Sequence, residues 1–449
     1  MQLTIPHIVT EVPGPRSRAL YDRERALIAP GLQGVTQWAQ ICFERGEGAV
    51  LWDVDGNGIL DFMAGIGVCS IGHAHPHQVA AIAAQAGRLA AGSFTSEARI
   101  ALLEALRRLL PAHLTRVQLY SGGAEAVEAA LRLARAATRR STVVSFWGGY
   151  HGKTDGTRPL SEGEQVGYGM PAPGAHAAPY ANPYRCAFGC EGCCTRACTR
   201  FLRQSIEHGS NRDIAAIIVE PVQGRGGNVV PPPGFLAELQ LVAREVGALL
   251  IADEMITGFG RTGSWFAHAQ EPGVEPDILI MGKGFGNGYP ISGVAAREEI
   301  AASLPWAKPS GNSSSYGGNA LACVAALATI EVLEAERLDH HAAELGAWML
   351  ERLGELATRA PIIGDVRGKG LLLGIELVRD RGTKEPLERE EIRQIFARLL
   401  GEGLLVMPSG SALRINPPLV LGYEAAASGL RILERVLGNA HLNLHRTGR

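Results

Sequence analysis

Three apolar segments of this chain each run into a charged residue, and this pattern limits the fold more than any other feature. The segments and the charged residues that follow them are 214–219 with Glu220, 247–252 with Asp253, and 278–281 with Lys283 after Gly282. Unbroken apolar runs of this length are typical of strands that are buried on both faces of a parallel sheet. Open α/β sheets bind their ligands at the carboxyl ends of the strands. The pattern therefore predicts an α/β fold with these three charged side chains at one edge of a sheet.

Two further strand ends carry features of a binding site. Residues 117–120 run into Ser121, Gly122 and Gly123 and then into a helical pattern. A strand, two glycines and a helix start form an anion site, although the same motif also occurs as an ordinary tight turn. Residues 141–146 are followed by Tyr150 between glycines, where its ring can lie against a flat ligand or simply pack. A lysine such as Lys283 is by itself usually solvent-exposed, but here a glycine-dense loop follows it and allows close approach.

Length and charge limit the number of domains and the classes of partner that this chain can have. The 449 residues are enough for two packed domains, and a net charge of −2 gives no electrostatic argument for nucleic acid or membrane partners. Residues 1–20 lack a signal-peptide pattern, and we see no apolar run of transmembrane length. We expect a cytoplasmic protein.

Together, residues 121–128, residues 149–152 and the segments around Asp253 and Lys283 resemble the class III (ω-type) aminotransferases. These are pyridoxal-phosphate enzymes of fold type I, and the resemblance extends over about residues 46–421. It implies an α/β large domain with a mixed, mostly parallel sheet in residues 71–335. It also implies a small α+β domain built from the N-terminal segment 1–70 and the C-terminal segment 336–449. A homodimer with shared active sites is implied as well.

The resemblance assigns residues to the cofactor pyridoxal 5'-phosphate. The implied cofactor-binding residues are Gly122, Gly123, Ala124, Tyr150, His151, Glu220, Asp253, Ile256, Lys283 and Ser315. Lys283 would hold the cofactor aldehyde as a Schiff base and carry the substrate proton, and Asp253 would keep the pyridine nitrogen protonated. Ser315 replaces a threonine that reaches the phosphate of the neighbouring subunit. Ile256, where many members have glutamine, resembles the ω-amine and β-alanine transaminases.

Three residues are assigned to the substrate by the same resemblance. Arg414 matches an arginine that grips a carboxylate with two hydrogen bonds or swings away for other substrates. Gly65 and Ile66 lie in a loop that is expected to form a wall of the substrate pocket. The site would serve a ping-pong transfer of an amino group from a primary amine, either an amino acid or an ω-amine, to a carbonyl acceptor. Amino sugars are one acceptor class that the resemblance allows.

Two other functions stay open. A racemase or epimerase of amino acids or amino sugars uses the same scaffold, and class III includes such enzymes. A non-catalytic binding or regulatory protein would need a nucleic-acid module, which we do not find in the sequence.

Cysteine and histidine clusters raise the question of a metal. The region from 154 to 211 holds five cysteines: Cys186, Cys190, Cys193, Cys194 and Cys198. Cys190 and Cys193 have the spacing of zinc ligands, but no second pair closes a four-ligand site, so a structural metal and simple thiols are both open. His73 and His75 have the spacing of a metal pair, yet the resemblance includes a similar Gly-His-x-His-Pro motif without metal. We predict no metal.

Overall fold

The computed structural model describes residues 5–162, 174–190, 195–209 and 212–438. The chain divides into two compact units. Unit 1 consists of Met1–Pro76 and His341–Arg449, and unit 2 of His77–His340.

The N-terminal part of unit 1 is a small antiparallel sheet with flanking helices. Its elements are α1 (Pro15–Leu27), α2 (Gly34–Ala39), β1 (Phe43–Glu47), β2 (Val50–Asp53), β3 (Gly58–Asp61) and the short helical turn α3 (Ala64–Gly67). The turn between β2 and β3 forms because the Asp53 carboxylate accepts hydrogen bonds from the backbone N–H groups of Asp55 and Asn57, at 2.9 and 2.8 Å. This is the hairpin that the Asp-Gly-Asn-Gly sequence indicates.

Unit 2 contains most of the helices and the largest sheet among the described residues. Its elements are α4 (Pro76–Ala86), α5 (Glu97–Leu109), β4 (Arg116–Tyr120), α6 (Gly123–Thr138), β5 (Thr142–Phe146), β6 (Ala175–Ala178), α7 (Thr195–Gly209), β7 (Ile214–Val219), α8 (Phe235–Val246), β8 (Leu249–Asp253), β9 (Ile278–Met281), β10 (Ser292–Ala296), α9 (Glu298–Ala301) and α10 (Ala320–Ala335). Three short 3₁₀ helices, Arg158–Leu160, Ala267–Gln270 and Lys283–Phe285, lie in the loops.

The seven-stranded sheet of unit 2 has the order β4-β10-β9-β8-β7-β5-β6. Strands β6, β5, β7, β8 and β9 pair in parallel, whereas β10 is antiparallel to both of its neighbours. All six residues of β7 are buried, and Ile217 and Ile218 belong to different apolar clusters, so helices cover both faces of the sheet. The predicted α/β architecture with a mixed, mostly parallel sheet is confirmed.

The C-terminal part of unit 1 returns to the N-terminal sheet. Its elements are α11 (Leu338–Arg359), β11 (Ile363–Lys369), β12 (Leu372–Asp380), β13 (Glu385–Pro386), α12 (Arg389–Gly401), β14 (Leu404–Leu405), β15 (Met407–Ser409), β16 (Ala412–Ile415) and α13 (Tyr423–Gly438). Strand β14 pairs in parallel with β3, which joins the two ends of the chain in one unit. A second sheet has the order β11-β12-β16-β15, with β13 on β12.

The cysteine-rich region is described only in part. Cys193 and Cys194 lie outside the described residues, whereas Cys186 and Cys190 are half-buried and Cys198 is buried. In the described part of the chain, no group of three or more His, Cys, Asp or Glu side chains is arranged to hold a metal ion. Across the same residues, no helix has both the length and the apolar character needed to cross a membrane.

Candidate active site

The carboxyl ends of β5, β7, β8 and β9 meet at one edge of the sheet because these strands are mutually parallel. The loop after β5 carries Tyr150 and His151, Glu220 follows β7, β8 ends in Asp253, and Gly282 and Lys283 follow β9. The strand-end pattern of the sequence therefore brings these side chains to one place, as expected for an open α/β sheet.

Asp253 and His151 form a fully buried pair at this edge. The distance from His151 Nδ1 to Asp253 Oδ2 is 2.7 Å, and the two side chains are only 1% and 2% exposed. Burial alone lowers the pKa of His151, but the hydrogen bond and charge of Asp253, with Glu220 further away, raise it above its ordinary value. Lys283 is near enough for its charge to oppose that rise. The bond fixes the orientation of the Asp253 carboxylate, a contact of His151 that the sequence did not indicate.

Glu220 fixes the loop that carries Tyr150. Its carboxylate oxygens accept hydrogen bonds from the backbone N–H groups of Tyr150, at 2.9 Å, and Gly224, at 3.1 Å. Burial raises the pKa of Glu220 and the charge of Asp253 adds to the effect, whereas His151 opposes it. Glu220 therefore connects two loops at the edge of the sheet.

Lys283 lies on a strained turn at the end of β9. Its φ is 46°, in the left-handed region that non-glycine residues rarely adopt. The preceding Gly282 leaves no room for a side chain, since a Cβ atom there would lie 2.1 Å from the Met255 Sδ atom. Met255 also borders Gly123, where an added Cβ would lie 3.2 Å from its Sδ atom. Met255 thus packs between the lysine turn and the start of α6, a contact that sequence reasoning missed.

A buried amide network supports the loop after Lys283. The Gln78 side chain donates to the carbonyl oxygens of Gly286 and Ala325, both at 3.2 Å, and to the Thr329 hydroxyl at 3.1 Å. Its own amide oxygen accepts a hydrogen bond of 2.9 Å from Asn287 Nδ2. Because Gln78 is 5% exposed, these bonds replace water and hold the loop against α10.

The turn before α6 provides donors for an anion. Glu125 accepts the N–H groups of Ser121 and Gly122, at 3.0 and 3.3 Å, so Gly123 and Ala124 supply the orphan N–H groups of the first helical turn. The Ser121 hydroxyl oxygen is buried and has no hydrogen-bond partner among the described residues. A buried hydroxyl without a partner is costly unless a ligand satisfies it. The sequence pattern includes Ser121, but it does not indicate a role for this serine.

The remaining cofactor candidates differ in exposure. Ile256 is buried in the loop after β8, with 3% of its surface exposed. Ser315 is exposed, and the neighbouring Tyr316 is 76% exposed.

The three substrate candidates belong to unit 1. Gly65 and Ile66 lie in α3, where both have positive φ values of 61° and 71°. Arg414 lies in β16 opposite Gly374 and is only 4% exposed.

Comparison with known proteins gives the family. A sequence model of the aminotransferase class-III family matches residues 33–437. The chain is 37% identical to an alanine/serine racemase of Pyrococcus horikoshii, over 96% of this chain and 92% of the relative. It is also 37% identical to a 4-aminobutyrate aminotransferase of Mycobacterium leprae, over 96% of this chain and 98% of the relative. An amine transaminase from an uncultivated Pseudomonas species, solved with bound pyridoxal phosphate, superposes with a TM-score of 0.86 at 33% identity, covering 92% of this chain and 98% of that one.

The chain belongs to the class III aminotransferase family, and the fold is that of the fold type I pyridoxal-phosphate enzymes. It is an aminotransferase whose cofactor is pyridoxal phosphate. The residues fit that cofactor, because the orphan Ser121 hydroxyl suits a phosphate and the buried Asp253 carboxylate suits a protonated pyridine nitrogen.

Proposed function

We propose that Lys283 and Asp253 are the catalytic residues of amino transfer. Bound pyridoxal phosphate supplies an aldehyde for the amino group and a ring that withdraws electrons from the substrate carbon. Asp253 would hold a proton at the ring nitrogen, His151 orients Asp253, and Lys283 would move the proton of the substrate carbon. The 2.7 Å bond between the two buried side chains of His151 and Asp253 is the observation that carries this proposal.

The cofactor phosphate lies, in this proposal, at the start of α6. The Ser121 hydroxyl and the amides of Gly123 and Ala124 bind it, which uses the orphan groups of that turn. Tyr150 packs on the flat face of the ring, supported by the bond from its backbone to Glu220. Ile256 contributes an apolar contact but no hydrogen bond, and Gly122 serves as the N-cap residue.

For the substrate, we propose a primary amine that is remote from a carboxylate. The relative from Mycobacterium leprae is named for 4-aminobutyrate, in which three carbons separate the two groups. Arg414 is the residue that pairs with the carboxylate, and Gly65 and Ile66 limit the size of the group beside the amine. An amino-sugar carbonyl is the alternative acceptor. With that acceptor, Arg414 would bind a carboxylate only in the half-reaction with the amino-acid donor.

We further propose a homodimer in which Ser315 reaches the phosphate of the partner subunit. Phe94 is 77% exposed and Tyr316 is 76% exposed, and the loops that carry them are neighbours. The proximity follows from Gly92, whose added Cβ would lie 3.2 Å from the Gly317 carbonyl oxygen. Two exposed aromatic rings on adjoining loops are typical of an interface between subunits. Sedimentation velocity measures the mass, and the double variant Phe94→Asp, Tyr316→Asp is expected to yield monomers.

Placement of the protein in the cytoplasm stays a prediction.

The direct test of the proposed chemistry is to trap the bond between the cofactor and the protein. Borohydride reduction of the purified holoenzyme, followed by peptide mapping, should find the cofactor on Lys283. Lys283→Ala should lose both the visible absorbance of the bound cofactor and turnover. The exposed Lys153 serves as the matched control, because Lys153→Ala removes a lysine of the same unit and should keep both. A reduced cofactor on any other lysine contradicts the proposal.

A racemase is the second candidate, and the relative from Pyrococcus horikoshii is the observation that favours it. An aminotransferase leaves the amino group on the cofactor when an amine donor is present without an acceptor. A racemase needs a second acid to return the proton to the opposite face of the substrate carbon. We expect L-alanine or 4-aminobutyrate alone to convert the cofactor stoichiometrically to its amine form. Inversion of configuration with no amine form of the cofactor would support the racemase.

A further inference from the structure

A second carboxylate–histidine pair lies directly after Asp253 in the chain, and amino transfer as proposed above does not use it. The distance from His268 Nδ1 to Glu254 Oε1 is 2.8 Å, and the two side chains are only 2% and 0% exposed. The same oxygen accepts the backbone N–H group of His268, at 2.8 Å. The other carboxylate oxygen accepts the hydroxyl of Thr257. Glu254 therefore ties the two ends of the loop 254–268 together.

The closed loop holds Phe259 against the turn that carries Lys283. The Phe259 N–H donates to the Trp265 carbonyl oxygen at 2.6 Å, which fixes the ring within the loop. The ring of Phe259 is stacked on that of Phe285, with the centroids 4.8 Å apart and an angle of 13° between the planes. Both rings are completely buried. The loop therefore contacts the 3₁₀ helix that begins at Lys283 through this stack.

The backbone at Lys283 depends on such support. Its φ of 46° is a strained conformation, which persists only where the surrounding structure fixes it. The Phe285 N–H donates to the Gly282 carbonyl oxygen at 3.0 Å, so Phe285 is part of the same turn. The Glu254 N–H donates to the Ile280 carbonyl oxygen at 3.0 Å. The loop thus contacts the lysine segment both before and after Lys283.

We propose that Glu254 and His268 are positioning residues for Lys283. They hold the loop so that Phe259 fixes Phe285, and the turn then directs the Lys283 amino group towards the cofactor and the substrate carbon. This inference rests on the proposed catalytic role of Lys283. Loosening the bond between His268 and Glu254 changes the position of the lysine and leaves the substrate contacts in place, so proton transfer should slow while substrate binding changes little.

The first test compares His268→Phe with the unmodified holoenzyme, both normalised to bound cofactor. Phenylalanine keeps a ring at this position but removes Nδ1. The assay is the half-reaction with L-alanine or 4-aminobutyrate that carries deuterium at the carbon that loses its proton. We expect the limiting rate to fall roughly 10- to 100-fold with little change in the half-saturating donor concentration. The deuterium isotope effect on the limiting rate should rise, because proton transfer becomes the slower step.

A second readout does not need turnover. The visible absorbance of the bound cofactor, titrated with pH, reports the proton on the Lys283 nitrogen, and its midpoint depends on the geometry of the bond between lysine and cofactor. We expect the midpoint in His268→Phe to differ from that of the unmodified protein by at least ~0.5 pH unit. His268→Asn should restore most of the difference, because its amide can donate from the position of Nδ1. A general loss of stability would reduce the amount of bound cofactor without moving the midpoint.

Two more variants test the route and the specificity of the effect. Phe259→Leu removes the stack but keeps the bond between His268 and Glu254, so it should move the midpoint as His268→Phe does. His113→Phe is the matched control, because His113 Nε2 lies 2.9 Å from the Pro276 carbonyl oxygen at the opposite end of β9. An unmoved midpoint in either His268→Phe or Phe259→Leu, or an equal shift in His113→Phe, would overturn the inference.

Borohydride mapping of the unmodified enzyme separates this inference from the proposed function. A reduced cofactor on a lysine other than Lys283 would refute both the catalytic role and the positioning. A reduced cofactor on Lys283, together with an unmoved midpoint in His268→Phe, would refute the positioning alone.

Discussion

The buried bond between His151 and Asp253 allows a quantitative test of the active site. His151→Phe removes the proton-bearing nitrogen and leaves the Asp253 carboxylate without its 2.7 Å partner in a dry environment. A hydrogen bond to a charged group contributes about 1.5–3 kcal/mol, and 1.4 kcal/mol corresponds to a tenfold change in rate. If Asp253 must be charged and correctly oriented during turnover, kcat should therefore fall roughly 10- to 100-fold.

The assay monitors the half-reaction with an amine donor through the stopped-flow absorbance of the bound cofactor. We expect the limiting rate to fall while the donor concentration at half-maximal rate changes little, because His151 acts through Asp253 rather than on the substrate. His151→Asn should recover part of the rate, since its amide nitrogen can donate from the position of Nδ1. His176→Phe is the matched control, because its Nε2 atom lies 3.1 Å from the neutral hydroxyl of Ser205. A normal limiting rate in His151→Phe, or no difference between the phenylalanine and asparagine variants, would refute the reasoning.

Three further predictions concern packing, pH and loop order. Gly282→Ala should destabilise the protein by roughly 1–3 kcal/mol through its collision with Met255, and Met255→Ala should relieve that penalty; a double-mutant cycle by urea unfolding that shows no coupling contradicts it. The raised pKa of His73, about 10, contributes stability that is complete below pH 6.5 and is lost as the pH rises towards 10. The urea midpoint should therefore drop between pH 7 and pH 9 by more in the unmodified protein than in His73→Gln. Gln78→Leu leaves Asn287 without its amide partner and should speed hydrogen exchange in residues 282–288; unchanged protection there would show that the network does not order the loop.

The strand ends were the part of the site that the sequence could predict. An unbroken apolar run followed by a charge has few structural solutions, so the positions of Glu220, Asp253 and Lys283 followed from local pattern. The resemblance to class III aminotransferases supplied the cofactor, because no local pattern in one chain specifies a pyridine ring. The catalytic roles and the substrate residues stay predictions.

Contacts between distant segments could not be predicted. His151 and Asp253 are 102 positions apart, and nothing in either sequence neighbourhood indicates that their side chains meet. The same holds for Met255 against Gly282, which depends on the exact register of neighbouring strands. For Asp61 and His73, the twelve-residue separation crosses a loop without periodicity, so only the fold shows that their side chains lie 2.7 Å apart.

The turn of residues 64–67 has a consequence for attempts to make this enzyme more heat-resistant. All four residues have positive φ values, and Ile66, at 71°, has a β-branched side chain that disfavours this conformation. The left-handed form costs a non-glycine residue roughly 1–2 kcal/mol, a cost that glycine does not have. A laboratory selection for heat resistance alone would therefore favour glycine at position 66. If Ile66 lines the substrate pocket as we propose, selection for catalysis on a chosen amine would act on its side chain instead. The two selections are expected to favour different residues at position 66. The residue found there after a combined selection would therefore show which of the two was stronger.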